Sequence, residues 1–246
     1  MDVSGANVKL AFTHIVAVCD DPLIQTLLPQ ILIVRTDMIS AANATLLAAE
    51  LASNVIIVRM QRAWTSEVVI REWFIRLRIA LRHHRESVQF IVYSDAFKAH
   101  ITSAIWEHVA DNHWHYCLIL ARLTWALQPC DAYVMAPYKR NLALSWHRSF
   151  LRTCLPSSAI TQCIRCVNFV CKEFINKTHW KTAFEHVGLV GHQNLLSWNT
   201  LHKLEYVDIP LVTNDLPSLA QLQSVFPAGH DIPIDSLFAT AVANYE

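Results

Sequence analysis

Between residues 8 and 150 the chain alternates short apolar runs, each closed by turn-forming residues, with longer segments of helical period, and few folds accommodate that order. Residues 8–19 and 30–34 are rich in β-branched and aromatic side chains. They flank the turn signal Asp20-Asp21-Pro22, so two strands are predicted. The alanine- and leucine-rich stretch 41–52 suits a helix, and 54–60 a short strand. Thr65 or Ser66 is placed to cap a helix reaching residue 81, on which Val68, Val69, Trp73, Leu77 and Leu81 share a face. Residues 88–94 are almost wholly apolar and end at Asp95, the pattern of a strand covered on both faces. A helix to residue 109, a strand over 114–120 and a helix from Asp131 into Lys139, Arg140 and Arg148 complete an α/β layered pattern.

After residue 150 the period is helical only. Ile160, Ile164, Val167, Phe169 and Phe174 predict a helix over 157–175, followed by a shorter one from Thr178 to near Gly188. The domain reading is therefore an α/β core over 1–150, a helical appendage over 151–200 and a tail over 201–246. The tail holds four prolines and six acids against Lys203, and is expected to be irregular and removable without unfolding the core. Tail and core differ in charge. Residues 59–85 carry seven arginines against Glu67 and Glu72, whereas the net charge of the whole chain is zero. Bulk electrostatics therefore does not favour nucleic acid, but a local basic face does.

The apolar fraction of 53% against 16% charged residues makes a core-rich chain, yet the longest apolar run, 23–34, is broken by Gln25, Thr26, Pro29 and Gln30. No membrane segment or secretory leader is read, and the seven scattered cysteines suit a reducing, intracellular setting. The pair Cys163 and Cys166 has half of a zinc-site spacing with no second half, so it is read as core. His83-His84 and His113-x-His115 are read as surface.

Strand ends in α/β sheets open onto ligand crevices, which makes Asp95 a candidate active-site acid. A second candidate stands in Leu127-Gln128-Pro129-Cys130-Asp131. This block resembles the Leu-Gln-Pro-Leu-Asp block of the DDE transposases of the pogo and mariner type, with cysteine in place of the usual leucine. Ile91-Val92-Tyr93-Ser94-Asp95, followed by His100, is similar to that family's strand ending in the second catalytic carboxylate, and 35 residues separate the two aspartates. Trp64-Thr65 ahead of Trp73, Ala136-Pro137-Tyr138-Lys139-Arg140, and residues 180–188 resemble further blocks, so the likeness covers residues 8–190.

The resemblance implies an RNase H-like three-layer α/β/α fold with one mixed sheet, and metal-dependent cleavage and strand transfer of DNA in the nucleus. The homodimer or larger assembly of a transposase is the implied setting. Asp95 and Asp131 would converge to hold a pair of Mg2+ (or Mn2+) ions, which prefer oxygen ligands. Lys98, His100, Gln128, Lys139 and Arg140 would support the site or contact DNA, with Trp125 as a base-stacking candidate. One departure matters. The family's first strand, with its bridging aspartate, has no counterpart before residue 8; Asp2 is the one acid there, and Asp20 and Asp21 match a turn. The strands over 8–19 and 88–94 would then lack a shared neighbour, and would either leave the fold poorly stable or slide together. The alternative implied is a catalytically inactive relic or a domesticated module that binds nucleic acid or protein.

Overall fold

In the computed structural model residues 12–84, 88–120, 123–152 and 159–190 are described; Asp2 and the 201–246 tail lie outside them. The fold is mixed α/β. Strand β1 (Phe12–Ile15) pairs antiparallel with β2 (Gln30–Arg35), which pairs parallel with β3 (Val55–Met60). A separate parallel pair joins β4 (Ile91–Asp95) to β5 (His115–Ile119). The single mixed sheet expected from sequence is thus in two pieces, and β1 and β4 have not slid together.

Local chemistry sets the connections. Asp21 caps α1 (Pro22–Gln25), accepting hydrogen bonds from the amides of Leu23 at 2.7 Å and Ile24 at 3.2 Å, while Pro22 supplies a pre-set first helical residue. Ser40 caps α2 (Ala41–Ala48) through the Asn43 amide. Helix α3 (Glu67–Ala80) departs from expectation: Ser66 stands at its N-cap, but its hydroxyl makes no capping bond and is buried without a partner. A three-residue turn (Lys98–His100) follows β4 and leads to α4 (Ser103–Asp111). After β5 come α5 (Thr124–Leu127), a wide helical turn (Cys130–Val134) and α6 (Met135–Arg152). Helix α7 (Ala159–Val170) ends in a second wide turn (Cys171–Ile175), and α8 (Lys181–His186) stops at Gly188, whose φ of 75° suits glycine.

Burial identifies β2, not β4, as the strand covered on both faces. Ile31, Leu32, Ile33 and Val34 are each 0% exposed. Leu32 and Val34 face Leu47 of α2 and Ile160, Ile164 and Val167 of α7, while Ile31 and Ile33 face Ala63 and Val69. In β4, by contrast, Ile91 is exposed and the next four residues are half-buried, because one side of the strand opens onto a cavity.

The two sheets are joined by helices. Ile70, Phe74, Leu77 and Leu81 on α3 and its end pack against Ile15, Ala17 and Cys19 on one side and against Phe90, Val92 and Tyr116 on the other. The opposite face is closed by Val134, Tyr138 and Phe184, which gather Val16, Val18 and Tyr93. Side-chain alternation along the strands sends neighbouring residues to these opposite helical layers. Residues 159–190 are tied in by Asn168, which accepts from the Ala52 amide at 2.8 Å, and by the Asn54–Asn176 amide pair. Cys163 and Cys166 lie on the buried face of α7.

Phe74 is the centre of this arrangement, 2% exposed and in ring contact with Trp73, Trp114 and Tyr116. Phe74→Ala is expected to cost about 3–5 kcal/mol, whereas Ile79→Ala on the exposed side of the same helix should change stability by about 0.5 kcal/mol or less. Urea denaturation of the two variants checks this, and equal losses would remove α3 from its role as the link.

Candidate functional site

A cavity of about 640 Å³ lies between the two sheets, and it is lined by residues 13–20, by residues 90–95 and by the inner face of α3. Its existence follows from the backbone. Beyond Ile15 the chain stays extended but leaves β2, because α1 and the 26–29 turn intervene. Two buried glutamines then take over the work of a strand partner. Gln30 accepts from the Ala17 amide at 3.1 Å and donates to the Ala17 carbonyl at 2.8 Å, and Gln25 accepts from the Cys19 amide at 2.6 Å. Both are 0% exposed, and orphaning such buried backbone groups would cost about 1–3 kcal/mol each. The other edge of this segment faces the cavity.

Asp95 and Asp131, with 35 residues between them in sequence, both line this cavity, together with Gln128 and His100. Asp95 ends β4, and its Oδ1 lies 2.5 Å from His100 Nδ1, which is also 3.0 Å from the Asp95 carbonyl. His100 is held in turn: Tyr116 donates its hydroxyl to the His100 carbonyl at 3.1 Å, and Ser94 lies 2.6 Å from the same Tyr116 oxygen. Burial pushes the Tyr116 hydroxyl up to about 12, so it stays a donor at neutral pH. Asp131 sits exposed in the first turn after Pro129. Its neighbour Cys130 is pushed up to about 12, by burial first and by the Asp131 charge second, so that thiol is neutral.

The remaining sequence candidates are placed apart. Lys98, Lys139 and Arg140 are exposed and do not line the cavity, and neither does half-buried Trp125. Trp64, 76% exposed at the cavity, is the tryptophan with a free face there. The arginines of α3 also lie outside it, Arg76 being paired with Glu72 at 2.7 Å. Asp20, read from sequence as a turn residue, lines the cavity too. Among the described residues, however, no three His, Cys, Asp or Glu side chains gather closely enough to hold a metal ion.

Sequence reasoning missed His14. Its Nδ1 lies 2.6 Å from the Tyr138 hydroxyl and its Nε2 is 3.8 Å from the Cys171 thiol, linking β1 to α6 and to the wide turn after α7 beside the cavity. A histidine between Thr13 and Ile15 in a strand gives no signal without its partners. No family model matches the chain, and the curated proteins and solved structures likewise yield no match. Among the described residues, no helix is long and apolar enough to cross a membrane.

Burial pushes the His14 imidazole down to about 3 from the ordinary 6.5. The folded chain therefore leaves His14 neutral where the unfolded chain protonates it. Stability from this group is unaffected above pH 6.5 and falls as the pH drops below it, by at most about 1.4 kcal/mol per pH unit, the limit for one proton taken up on unfolding. Chemical denaturation between pH 7 and 5, where carboxylates stay ionised, should show this slope, and His14→Gln should flatten it. An unchanged slope in that variant would rule out His14 as its source.

Proposed function

We propose that this chain carries an RNase H-like nuclease core of the DDE transposase type, directed at DNA phosphodiesters and incomplete in the 246 residues present. The observation that supports this best is that Asp95 and Asp131 both line one cavity, in the order and spacing of that family's second and third carboxylates. Helices on both faces of the strands favour the same reading. Asp95 and Asp131 would each hold one Mg2+ or Mn2+ ion, and a bound metal pair supplies polarisation of the phosphodiester and activation of water. His100 fixes the Asp95 carboxylate, and Tyr116 fixes His100. Lys98, Lys139 and Arg140 offer exposed cations to the phosphate backbone, whose neutralisation provides much of the affinity in such complexes. A nuclear setting and a homodimeric or larger transposase assembly belong to this reading.

A second reading, an inactive module that binds without cutting, is favoured by one observation. Among the described residues no third acid joins Asp95 and Asp131 in a metal-sized cluster. Two carboxylates hold divalent ions weakly, on the order of millimolar, and the loss of a metal ligand costs orders of magnitude in rate.

The purified 246-residue chain should therefore bind Mn2+ at about 1 mM, measured by water-proton relaxation, and should not nick supercoiled DNA in Mg2+. Asp95→Asn and Asp131→Asn should each weaken Mn2+ binding about tenfold. Unchanged binding in both variants would remove the metal site. Mg2+-dependent nicking lost in both Asp95→Ala and Asp131→Ala would instead show that another acid completes it.

A further inference from the structure

We propose that the cavity between β1 and β4 accepts one extended strand of another polypeptide, apolar along its middle and flanked by lysine or arginine. The strand edges carry the case. The amides of Ala17 and Cys19 are engaged on the β2 side by Gln30 and Gln25, so by strand alternation the backbone groups of His14, Val16 and Val18 face the cavity. On β4, the Phe90 carbonyl accepts from the His115 amide at 2.9 Å and the Ala96 amide donates to the Ile119 carbonyl at 3.0 Å. The groups of Ile91, Tyr93 and Asp95 are thereby turned to the open side. Of these groups, the Asp95 carbonyl is met by His100, and the Val16 carbonyl by a long contact of 3.8 Å from the Cys130 thiol. Two strand edges therefore face one space, and among the described residues neither pairs with a further strand.

The space has the size and surface of a strand. With neighbours about 4.8 Å away on each side, layers about 10 Å apart and a rise of about 3.3 Å, an inserted strand needs roughly 160 Å³ per residue. The cavity of about 640 Å³ then takes about four residues. Ile70, Phe74 and Leu77 wall one face and Met135 and Phe184 the other, so side chains pointing either way meet apolar surface. Asp20, Asp95 and Asp131 line the same space with no lysine or arginine among the lining residues, and basic flanks on the incoming strand complement them. Strand addition of this kind takes its affinity from main-chain hydrogen bonds and its selectivity from alternating side chains. Without bound metal the slot disfavours nucleic acid, because these walls then offer its phosphates no lysine or arginine. The strand's basic flanks and a metal pair would compete for Asp95 and Asp131, so strand binding is read without metal and metal binding without peptide, and failure of one is distinguishable from failure of the other.

The probe is the capped hexapeptide Lys-Val-Ile-Val-Ile-Lys, added to the full chain in metal-free buffer. Amide exchange at His14, Val16, Val18, Ile91 and Tyr93 should slow by at least about tenfold, while Val92 and Ser94, already turned to β5, change little. A peptide N-methylated at alternate positions should bind at least about tenfold more weakly, because it loses donors on one edge. Tyr93→Pro removes an amide facing the slot without touching the β4·β5 ladder and should weaken binding similarly, with Tyr93→Phe as the neutral control. Should the proline variant fail to fold, the methylated peptide decides. Equal binding of both peptides would mean simple apolar filling and overturn the proposal, as would protection of the same amides by a single-stranded oligonucleotide. Slow exchange in the free chain that quickens on deletion of residues 201–246 would also overturn it, by assigning the slot to the chain's own tail.

Discussion

Helix α3 lies across two sheets that share no strand pairing, and its apolar face is what makes them one body. Ile70, Phe74 and Leu77 reach β1 and β4 at once, with Leu81 extending the same row past the end of the helix. In a continuous sheet the lateral order of strands is fixed by directional hydrogen bonds. Here it is fixed by hydrophobic packing, which is strong but non-directional. The opposite face repeats the device with Val134, Tyr138 and Phe184. Two helical layers hold the sheets at a spacing that backbone pairing does not dictate, and the cavity is the consequence.

The gap also explains the polar side chains inside the protein. Gln25 and Gln30 are fully buried because residues 16–19 run extended without a strand beside them. An amide side chain carries both a donor and an acceptor, as a peptide group does, so it can stand in for a missing ladder rung. His14 answers a different need. Its ring bridges Tyr138 and the Cys171 thiol, and burial keeps it neutral. Gln25 and Gln30 thus put buried polarity where the β1–β2 pairing stops.

The carboxylates occupy the rim of the same gap. Asp95 is oriented by His100 through a turn that Tyr116 and Ser94 pin, whereas Asp131 is exposed at the start of a helical run.

The order of elements was legible in the sequence, since the periods of 2 and 3.6 residues are local properties of the chain. So were the Gly188 helix stop and the strand-end position of Asp95, whereas Asp20-Asp21-Pro22 read as a turn and in fact starts a short helix capped by Asp21. The polar interruptions Gln25 and Gln30 were visible as breaks in an apolar run, but not as backbone partners, because their partners are set by how β1 leaves β2. Likewise the apolar run ending at Asp95 looked like a doubly covered strand, and β2 holds that place instead. An apolar pattern states that burial is favoured, not which neighbours provide it. The split of the sheet and the cavity were decided by tertiary packing alone: each depends on the distance between segments far apart in the chain, and that distance is set by the volume and fit of α3 and α6 against the strands rather than by any local preference.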